Sequence, residues 1–398
     1  MLKTPIDSSF QESLDVCLEG KDISKQQAYE MMNLDNCDEL IIRVARTIRN
    51  RTKGFRVTYS RKVFINLVNL CRDTCSYCTY KKEPFDRLAS MMLPEQVLSL
   101  AHTGKKVGCT EALFVTGERP EQRYLEAKQW LRSLGYSSTI EYIREISEKV
   151  LQRTGLLPHT NAGSLTKKEI SILKDTNVSI GAMLESSSER LISKGMPHEN
   201  APSKNPRVRL RTLQNAGELK IPTTTGLLIG IGETSKEIVD SLFLIKEIHR
   251  RYGHIQEVIM QNFNPKPKTN MENSFPPSHS YFLKSVAMAR IIMPEMNIQV
   301  PPNLTPNFFG SYIDAGINDW GGISPVTVDH VNPEFSWPSI RSVNYVTISK
   351  GHKLRARLPV YPEFLDKNGG FIPTKLRNYI NLLSDSTGLV KEDCVECS

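Results

Sequence analysis

Nowhere among its 398 residues does the chain carry a run of 18 uncharged apolar residues, and its start, MLKTPIDSSFQESLD, lacks the basic stretch followed by an apolar one that marks an export signal. A membrane partner is therefore not expected, and the composition reads as that of a cytoplasmic protein. No internal repeat or low-complexity segment is visible. With 39% apolar and 24% charged residues, 23 Gly and 23 Pro, the chain is not disordered, collagen-like or a disulfide miniprotein. What it does have is eight cysteines. In a reducing compartment these read as buried thiols, metal ligands or catalytic groups, and their spacing has to decide which.

Charge is unevenly spread. Residues 1–42 carry three lysines against nine acids, whereas residues 43–62 carry eight Lys/Arg and no acid. Such a basic stretch is able to meet nucleic acid, but the acidic segment beside it is an internal partner, and no aromatic residues interleave with it for base stacking. A solvated helix-and-strand surface is the expectation, and no nucleic-acid partner is assigned.

Past residue 60, short β-branched or apolar runs alternate with longer segments of helical period, the pattern of βα units on a parallel sheet. Eight strands are read at 63–70, 111–117, 157–163, 177–185, 223–232, 257–263, 297–303 and 319–323. Thr166 with Glu169, Ser138 with Glu141 and Thr234 with Glu237 form capping boxes, and Pro94 suits the first turn of a helix. Ile238, Leu242, Ile245 and Ile248 make one apolar stripe. The fold expected is α/β, a (β/α)8 TIM-type barrel or a six-unit partial barrel with two looser units, preceded by a helical N-terminal extension. Residues 1–58 form that extension, with helices near 25–32 and 39–48, expected over one end of the barrel. Residues 59–330 form the barrel, and residues 331–398 complete it with two weak helices and a mobile tail.

Cys17, Cys37 and Cys109 are isolated and read as reduced, partly buried thiols; Cys394 and Cys397 form a terminal pair without a second pair to complete a tetrahedral site. Cys71, Cys75 and Cys78 differ, because they stand together in NLCRDTCSYCTY directly after the first strand. A Cys-x3-Cys-x2-Cys loop supplies three thiolates, one fewer than a structural zinc or a closed cluster requires. A 4Fe-4S cubane held by three thiolates leaves one iron open to a small chelating molecule. Three thiols in a turn, or zinc completed by Asp73 or a distant histidine, remain the alternatives at this point.

The cysteine loop, with aromatic Tyr77 before its third cysteine, resembles that of the radical S-adenosylmethionine (SAM) enzymes. The resemblance implies one 4Fe-4S cluster on Cys71, Cys75 and Cys78, with SAM on the open iron. In that family reductive cleavage of SAM gives a 5'-deoxyadenosyl radical that abstracts a substrate hydrogen, so a low-potential electron donor is implied as well. Thr116-Gly117-Glu118 is similar to the family's Gly-Gly-Glu motif, which receives the methionine ammonium, with Thr in place of the first Gly. Glu185 matches a position that contacts the SAM ribose or amine, and the Gly226 to Glu233 run, including Gly230, resembles the motif beside adenine. A tight βα turn is the plain alternative for that last run.

More specifically, TYSRKVFINLVNLCRDTCSYCTY, RLRTLQNAGELKIPTTTGLLIGIGET, GHIQEVIMQNF, PPNLTP and DAGINDWGGISPVTVDHVNPE resemble the 7,8-didemethyl-8-hydroxy-5-deazariboflavin (FO) synthase family, in particular its cyclising subunit, over roughly residues 58–365. The resemblance implies a carbon-nitrogen lyase of deazaflavin coenzyme biosynthesis. It would close the third ring of a 4-hydroxybenzyl group joined to a ribitylated dihydrouracil, with loss of ammonia. A partner radical SAM subunit would make that substrate from tyrosine. The coupling subunit's own reaction, or that of a menaquinone-pathway relative, is the runner-up, and a cysteine-metal nucleic-acid-binding module is the reading from another class.

Active sites of parallel barrels lie at the carboxyl ends of the strands. Asn161, Gln261, Asn262, Asn303 and Asp319 are on that ground the candidates to bind substrate, and His159, whose ordinary pKa of ~6.5 suits proton transfer near neutrality, is the candidate general base. One of Arg207, Arg209 and Arg211 is placed to reach the SAM carboxylate, the others being solvated. Lys266 and Lys268 read as an exposed loop tip.

Overall fold

The chain is represented by a computed structural model that describes residues 8–392. Cys394 and Cys397 lie outside the described residues. Three helices come first, α1 (Ser8–Leu18), α2 (Lys25–Asn33) and α3 (Asp38–Lys53), followed by β1 (Arg56–Val68), α4 (Pro94–Lys106), β2 (Glu111–Thr116), α5 (Leu125–Ser133), α6 (Thr139–Thr154), β3 (Leu157–Asn161), α7 (Lys167–Lys174) and β4 (Ser179–Gly181). The second half runs α8 (Pro206–Glu218), β5 (Thr223–Ile229), α9 (Ser235–Tyr252), β6 (Ile255–Asn262), α10 (His279–Ile292), β7 (Ile298–Gln299), α11 (Ser311–Asp314), β8 (Asp319–Ile323), α12 (Ile340–Ser349), β9 (Lys353–Arg357) and α13 (Thr374–Leu383).

Each of β1 to β8 pairs in parallel with the next, and β8 returns to β1, so the barrel is closed rather than partial. The helices begin where the sequence places them. Pro94 opens α4, where a missing N–H costs nothing, and Thr166 and Thr234 make reciprocal capping boxes with Glu169 and Glu237. Ser138 caps α6 by taking the Glu141 amide, but the Glu141 carboxylate turns to the amide and hydroxyl of Ser137 instead of closing the box. The Ile238, Leu242, Ile245 and Ile248 stripe is buried against the strands.

Three features depart from expectation. First, β1 starts seven residues before the predicted 63, and its early half pairs with the unpredicted β9 in register from Arg56–Lys353 to Ser60–Arg357. Because β9 lies beside the amino-terminal half of β1, it closes the barrel's bottom. Pro359, just beyond it, accepts from Ser179 and Gln256. Second, the basic stretch is a solvated face only in part: Arg43, Arg46, Arg51 and Arg56 are exposed. Arg49, Arg61 and Lys62 are buried, with Arg49 capping the carbonyls of Ile317, Gly54 and Arg56, while Arg46 pairs with Asp314. Third, the N-terminal helices pack on the barrel's flank, not over a mouth. Tyr29 and Lys25 bond Asp240 of α9, Lys246 of α9 reaches Asp22, and Lys284 of α10 pairs with Asp38. The amphipathic α3 has an outer helix, α10, as its natural apolar partner.

Candidate functional site

The cysteine loop leaves the carboxyl end of β1 and is fastened on every side by main-chain bonds. Arg72 N donates to Glu118 O (2.7 Å), Thr74 N to Asn200 O (2.7 Å) and Ser76 N to Pro197 O (2.9 Å), while Met271 N donates to Ser76 O (3.2 Å). Asp73 is occupied, accepting the amide and hydroxyl of Ser203, and so is not a spare metal ligand. Cys71, Cys75 and Cys78 are free thiols lining one cavity of about 320 Å³ that runs from the mouth into the barrel. Among the described residues no three His, Cys, Asp or Glu side chains are placed to hold a single metal ion. A cubane does not need one shared metal position, because three of its four irons take one thiolate each. Burial lifts the Cys71 thiol to about 11. The Glu118 amide donates to its sulfur at 3.1 Å, a bond that favours the thiolate.

Tyr77, Gly117, Glu118, His159, Asn161, Glu185 and Gln261 all line this cavity. Gly117 is required by contact, since a Cβ there would lie 2.0 Å from Leu70 O and 2.7 Å from Cys71 Cβ. Glu118 is 4% exposed, accepts the Ser164 amide (2.9 Å) and hydroxyl, and stands 3.7 Å from Arg209 Nη2. Arg209 is thus the one buried arginine of the three, whereas Arg207 is exposed and pairs with Glu189. Glu185 sits in the left-handed region (φ 63°) and takes Lys204 Nζ at 2.5 Å. Burial pushes its carboxyl up, but the Lys204 ammonium more than offsets this, and its pKa falls below the ordinary value. Its other oxygen, Oε2, is buried with no partner and marks an unfilled acceptor. The Tyr77 hydroxyl bonds His198 Nε2 at 2.9 Å, and burial holds that imidazole down to about 3.

His159 is not at a strand end but third of the five residues of β3, deep in the lumen. Its Nδ1 is 2.7 Å from Ser179 Oγ, whose own proton goes to Pro359 O, so Nδ1 carries the hydrogen and Nε2 the lone pair. Burial lowers its pKa to about 4. The ring is neutral at pH 7 and a weak base.

Five candidates lie outside the cavity lining. Asp319 opens β8 instead of ending it and is at the barrel's bottom, gripped by Arg357 (Nε–Oδ2 2.7 Å, Nη2–Oδ1 2.9 Å) and by Thr58. Asn303 is turned to Asp329 (3.0 Å), and Asn262 to Leu304 O (3.5 Å). Gly226 lies behind the wall, where a Cβ would strike Ile259 O at 2.1 Å. At Gly230 (φ 99°) the chain makes a tight turn whose amides are closed by the Glu233 carboxylate, with Pro277 against it. That is the plain reading of the glycine-rich run. Lys266 is also corrected: it is buried, 7% exposed, and donates to Val331 O.

Lumen groups absent from the sequence-based set are Lys62, Glu111, Lys204, Glu257, Gln299 and Arg357. Lys62 and Glu111 interrupt apolar strands, which is a legible signal. Lys204 comes from a short 3-10 segment and Arg357 from β9, which only the tertiary structure brings into the barrel. On the floor, Arg357 also pairs with Glu257 (2.7 Å), which accepts from Tyr361 (2.9 Å) and, with its amide nitrogen turned inward, from Gln299 (2.8 Å). Burial raises Glu257 to about 7 despite Arg357, because Asp319 is a second negative charge on the same guanidinium.

A model of the radical SAM superfamily matches residues 65–245. The 7,8-didemethyl-8-hydroxy-5-deazariboflavin synthase of Methanopyrus kandleri is 46% identical over 335 residues, covering 84% of this chain and all of that protein. Its counterpart from Methanocaldococcus jannaschii is 45% identical over 345 residues, covering 87% and 94%. The FO synthase of Mycobacterium tuberculosis is 44% identical over 84% of this chain but only 40% of its own length. Among solved structures, the FeFe-hydrogenase maturase HydG from Carboxydothermus hydrogenoformans has a TM-score of 0.74 at 19% identity, covering 94% of this chain and 89% of its own; this likeness concerns the fold alone.

Proposed function

The chain belongs to the radical SAM superfamily and, within it, to the FO synthases, and we propose from that membership and the cavity how its residues divide the work. The reaction forms 7,8-didemethyl-8-hydroxy-5-deazariboflavin, and membership of the superfamily implies a 4Fe-4S cluster and SAM. When bound, these two groups supply a 5'-deoxyadenosyl radical that removes a hydrogen from substrate.

The residues present fit them. Cys71, Cys75 and Cys78 hold the cluster, with the Lys204 ammonium compensating thiolate charge at Cys75. Gly117 permits close approach at the loop, and the unpartnered Glu185 Oε2 and the neighbouring Arg209 and Lys204 hold the amino-acid end and ribose of SAM. Tyr77, held by His198, walls the same end. Deeper in, Asn161, Gln261 and the neutral His159 orient the substrate, a 4-hydroxybenzyl group on a ribitylated dihydrouracil, and the closed barrel excludes water from the radical. His159 Nε2 accepts a hydrogen bond or a proton from substrate. A tyrosine-coupling radical SAM partner makes the substrate, and a low-potential donor provides the electron.

One observation carries this reading: the three-cysteine loop and the Glu185–Lys204 pair open on the same cavity as a polar barrel lumen. Anaerobically reconstituted protein given SAM, reductant and the coupled precursor should release 5'-deoxyadenosine and fluorescent FO. 5'-Deoxyadenosine without FO would sink the substrate assignment.

A further inference from the structure

Lys62 is an anomaly of the barrel interior. It sits midway along β1, in register with Glu111 of β2, and its side chain is 8% exposed and faces the cavity. No carboxylate lies within 4.0 Å of its ammonium, and no hydrogen bond reaches it among the described residues. Glu111 turns instead to the Ser60 hydroxyl, and Glu257 to Arg357. The nearest groups flanking the ammonium are aromatic, Nζ lying 4.8 Å from the Trp337 ring centroid and 5.3 Å from that of Phe64, while Glu111, Asp329 and Glu257 act on it only through space. Room for it is built in by Gly322 of β8, where a Cβ would lie 2.3 Å from Lys62 Cδ and 2.6 Å from Nζ.

A buried cation that touches no anion destabilises a fold, and aromatic faces and carboxylates engaged elsewhere (Glu111, Asp329 and Glu257) compensate it only in part. Such an arrangement persists where the missing partner arrives with the ligand. We propose that Lys62 is a substrate-binding residue whose ammonium donates to a strongly polarised or anionic oxygen of the aromatic substrate, which slides between Phe64 and Trp337. This deepens the FO synthase reading and rests on it. Two oxygens of the product share the required chemistry, the 8-hydroxyl that its name records and a pyrimidine carbonyl. Riboflavin keeps the pyrimidine and ribityl groups and lacks the 8-hydroxyl, so it separates them.

The test uses the cluster-loaded enzyme and its Lys62→Met and Lys62→Arg variants, with three readouts: thermal stability, FO binding by fluorescence titration, and the ratio of FO to 5'-deoxyadenosine per turnover. Lys62→Met removes a buried charge that no carboxylate touches, at nearly constant volume, and the nearby acids keep their own partners, so its Tm should stay level or rise, while FO binds about tenfold or more weakly and the FO ratio falls. Lys62→Arg should restore part of the binding. Riboflavin weakened in parallel assigns the contact to the pyrimidine carbonyl; riboflavin bound equally by wild type and Lys62→Met assigns it to the phenolic oxygen. Unchanged FO affinity in Lys62→Met overturns the proposal, as does a variant that loses stability and binding together and is equally deficient as Lys62→Arg. Failure of the wild type to make FO would overturn instead the functional reading itself.

Discussion

The barrel floor allows one prediction to be worked through. Arg357 is the single guanidinium between two buried carboxylates, Asp319 and Glu257, with its Cζ 4.3 Å above the Tyr361 ring. Arg357→Met keeps much of the apolar bulk but strands both acids, and breaking such a buried network costs about 3–5 kcal/mol. With an unfolding entropy of roughly 2.1 cal/mol/K per residue, a chain of 398 residues loses about 0.8 kcal/mol per kelvin near its midpoint, so Tm should fall by about 5 °C. The loss should also depend on pH. Burial holds the folded Glu257 pKa at about 7, above the unfolded value of 4.5. Its contribution to stability is therefore fully present below pH 4.5 and is lost as pH rises through 7. Without Arg357 that pKa climbs further, so at pH 6 a proton substitutes for the missing guanidinium, whereas at pH 8 the variant must bury a bare charge or bind a proton at a cost. Scanning calorimetry under anaerobic conditions should find a larger deficit at pH 8 than at pH 6, and Glu257→Gln in the same molecule should recover part of it. A deficit independent of pH, with no recovery in the double variant, would refute the idea that Arg357 acts by neutralising Glu257.

Replacing any one of Cys71, Cys75 or Cys78 by Ala should abolish iron loading and FO formation together, whereas Cys37→Ser, outside the cavity, should leave iron content intact by elemental analysis. Glu185→Gln removes the acceptor paired with Lys204 and should weaken SAM binding to the cluster-loaded enzyme by about tenfold or more in equilibrium dialysis; an unchanged affinity would make the pair purely structural. His159 is held to about 4 by burial, so it is neutral when folded but protonates below ~6.5 when unfolded. Its contribution, about 3 kcal/mol at most, is present above pH 6.5 and is lost as pH falls through 4. His159→Asn should flatten the decline of the urea midpoint across that window, and an identical slope in both proteins would count against a buried neutral imidazole.

Much of this protein was legible from its residues alone. Local chemistry is written locally: Thr166 and Thr234 announce their helices because a capping box closes within four residues, and Cys71, Cys75 and Cys78 come to line one cavity because they stand close together on one loop. The ordered segments shared with the FO synthases extend this to the family and the product. Position along a strand was less secure. Asp319 was read as a mouth residue, yet it begins β8, and only the register with β1 and β7 shows that it faces the floor. In the Gly226 to Glu233 run the spacing of the glycines was legible, but that the Glu233 carboxylate closes the turn by accepting two of its amides was visible only in the structure. The basic stretch at 43–62 illustrates the general reason. Sequence determined that charge was concentrated there, whereas tertiary structure decided that Arg49 would cap carbonyls of β1 and of the turn before β8, and that Lys62 would point into the lumen. Periodicity, capping and ligand spacing are short-range properties of the chain and can be read from it. Which buried charge meets which partner depends on strands that lie hundreds of residues apart in sequence, as Arg357 does from β1, and only closure of the barrel brings them together.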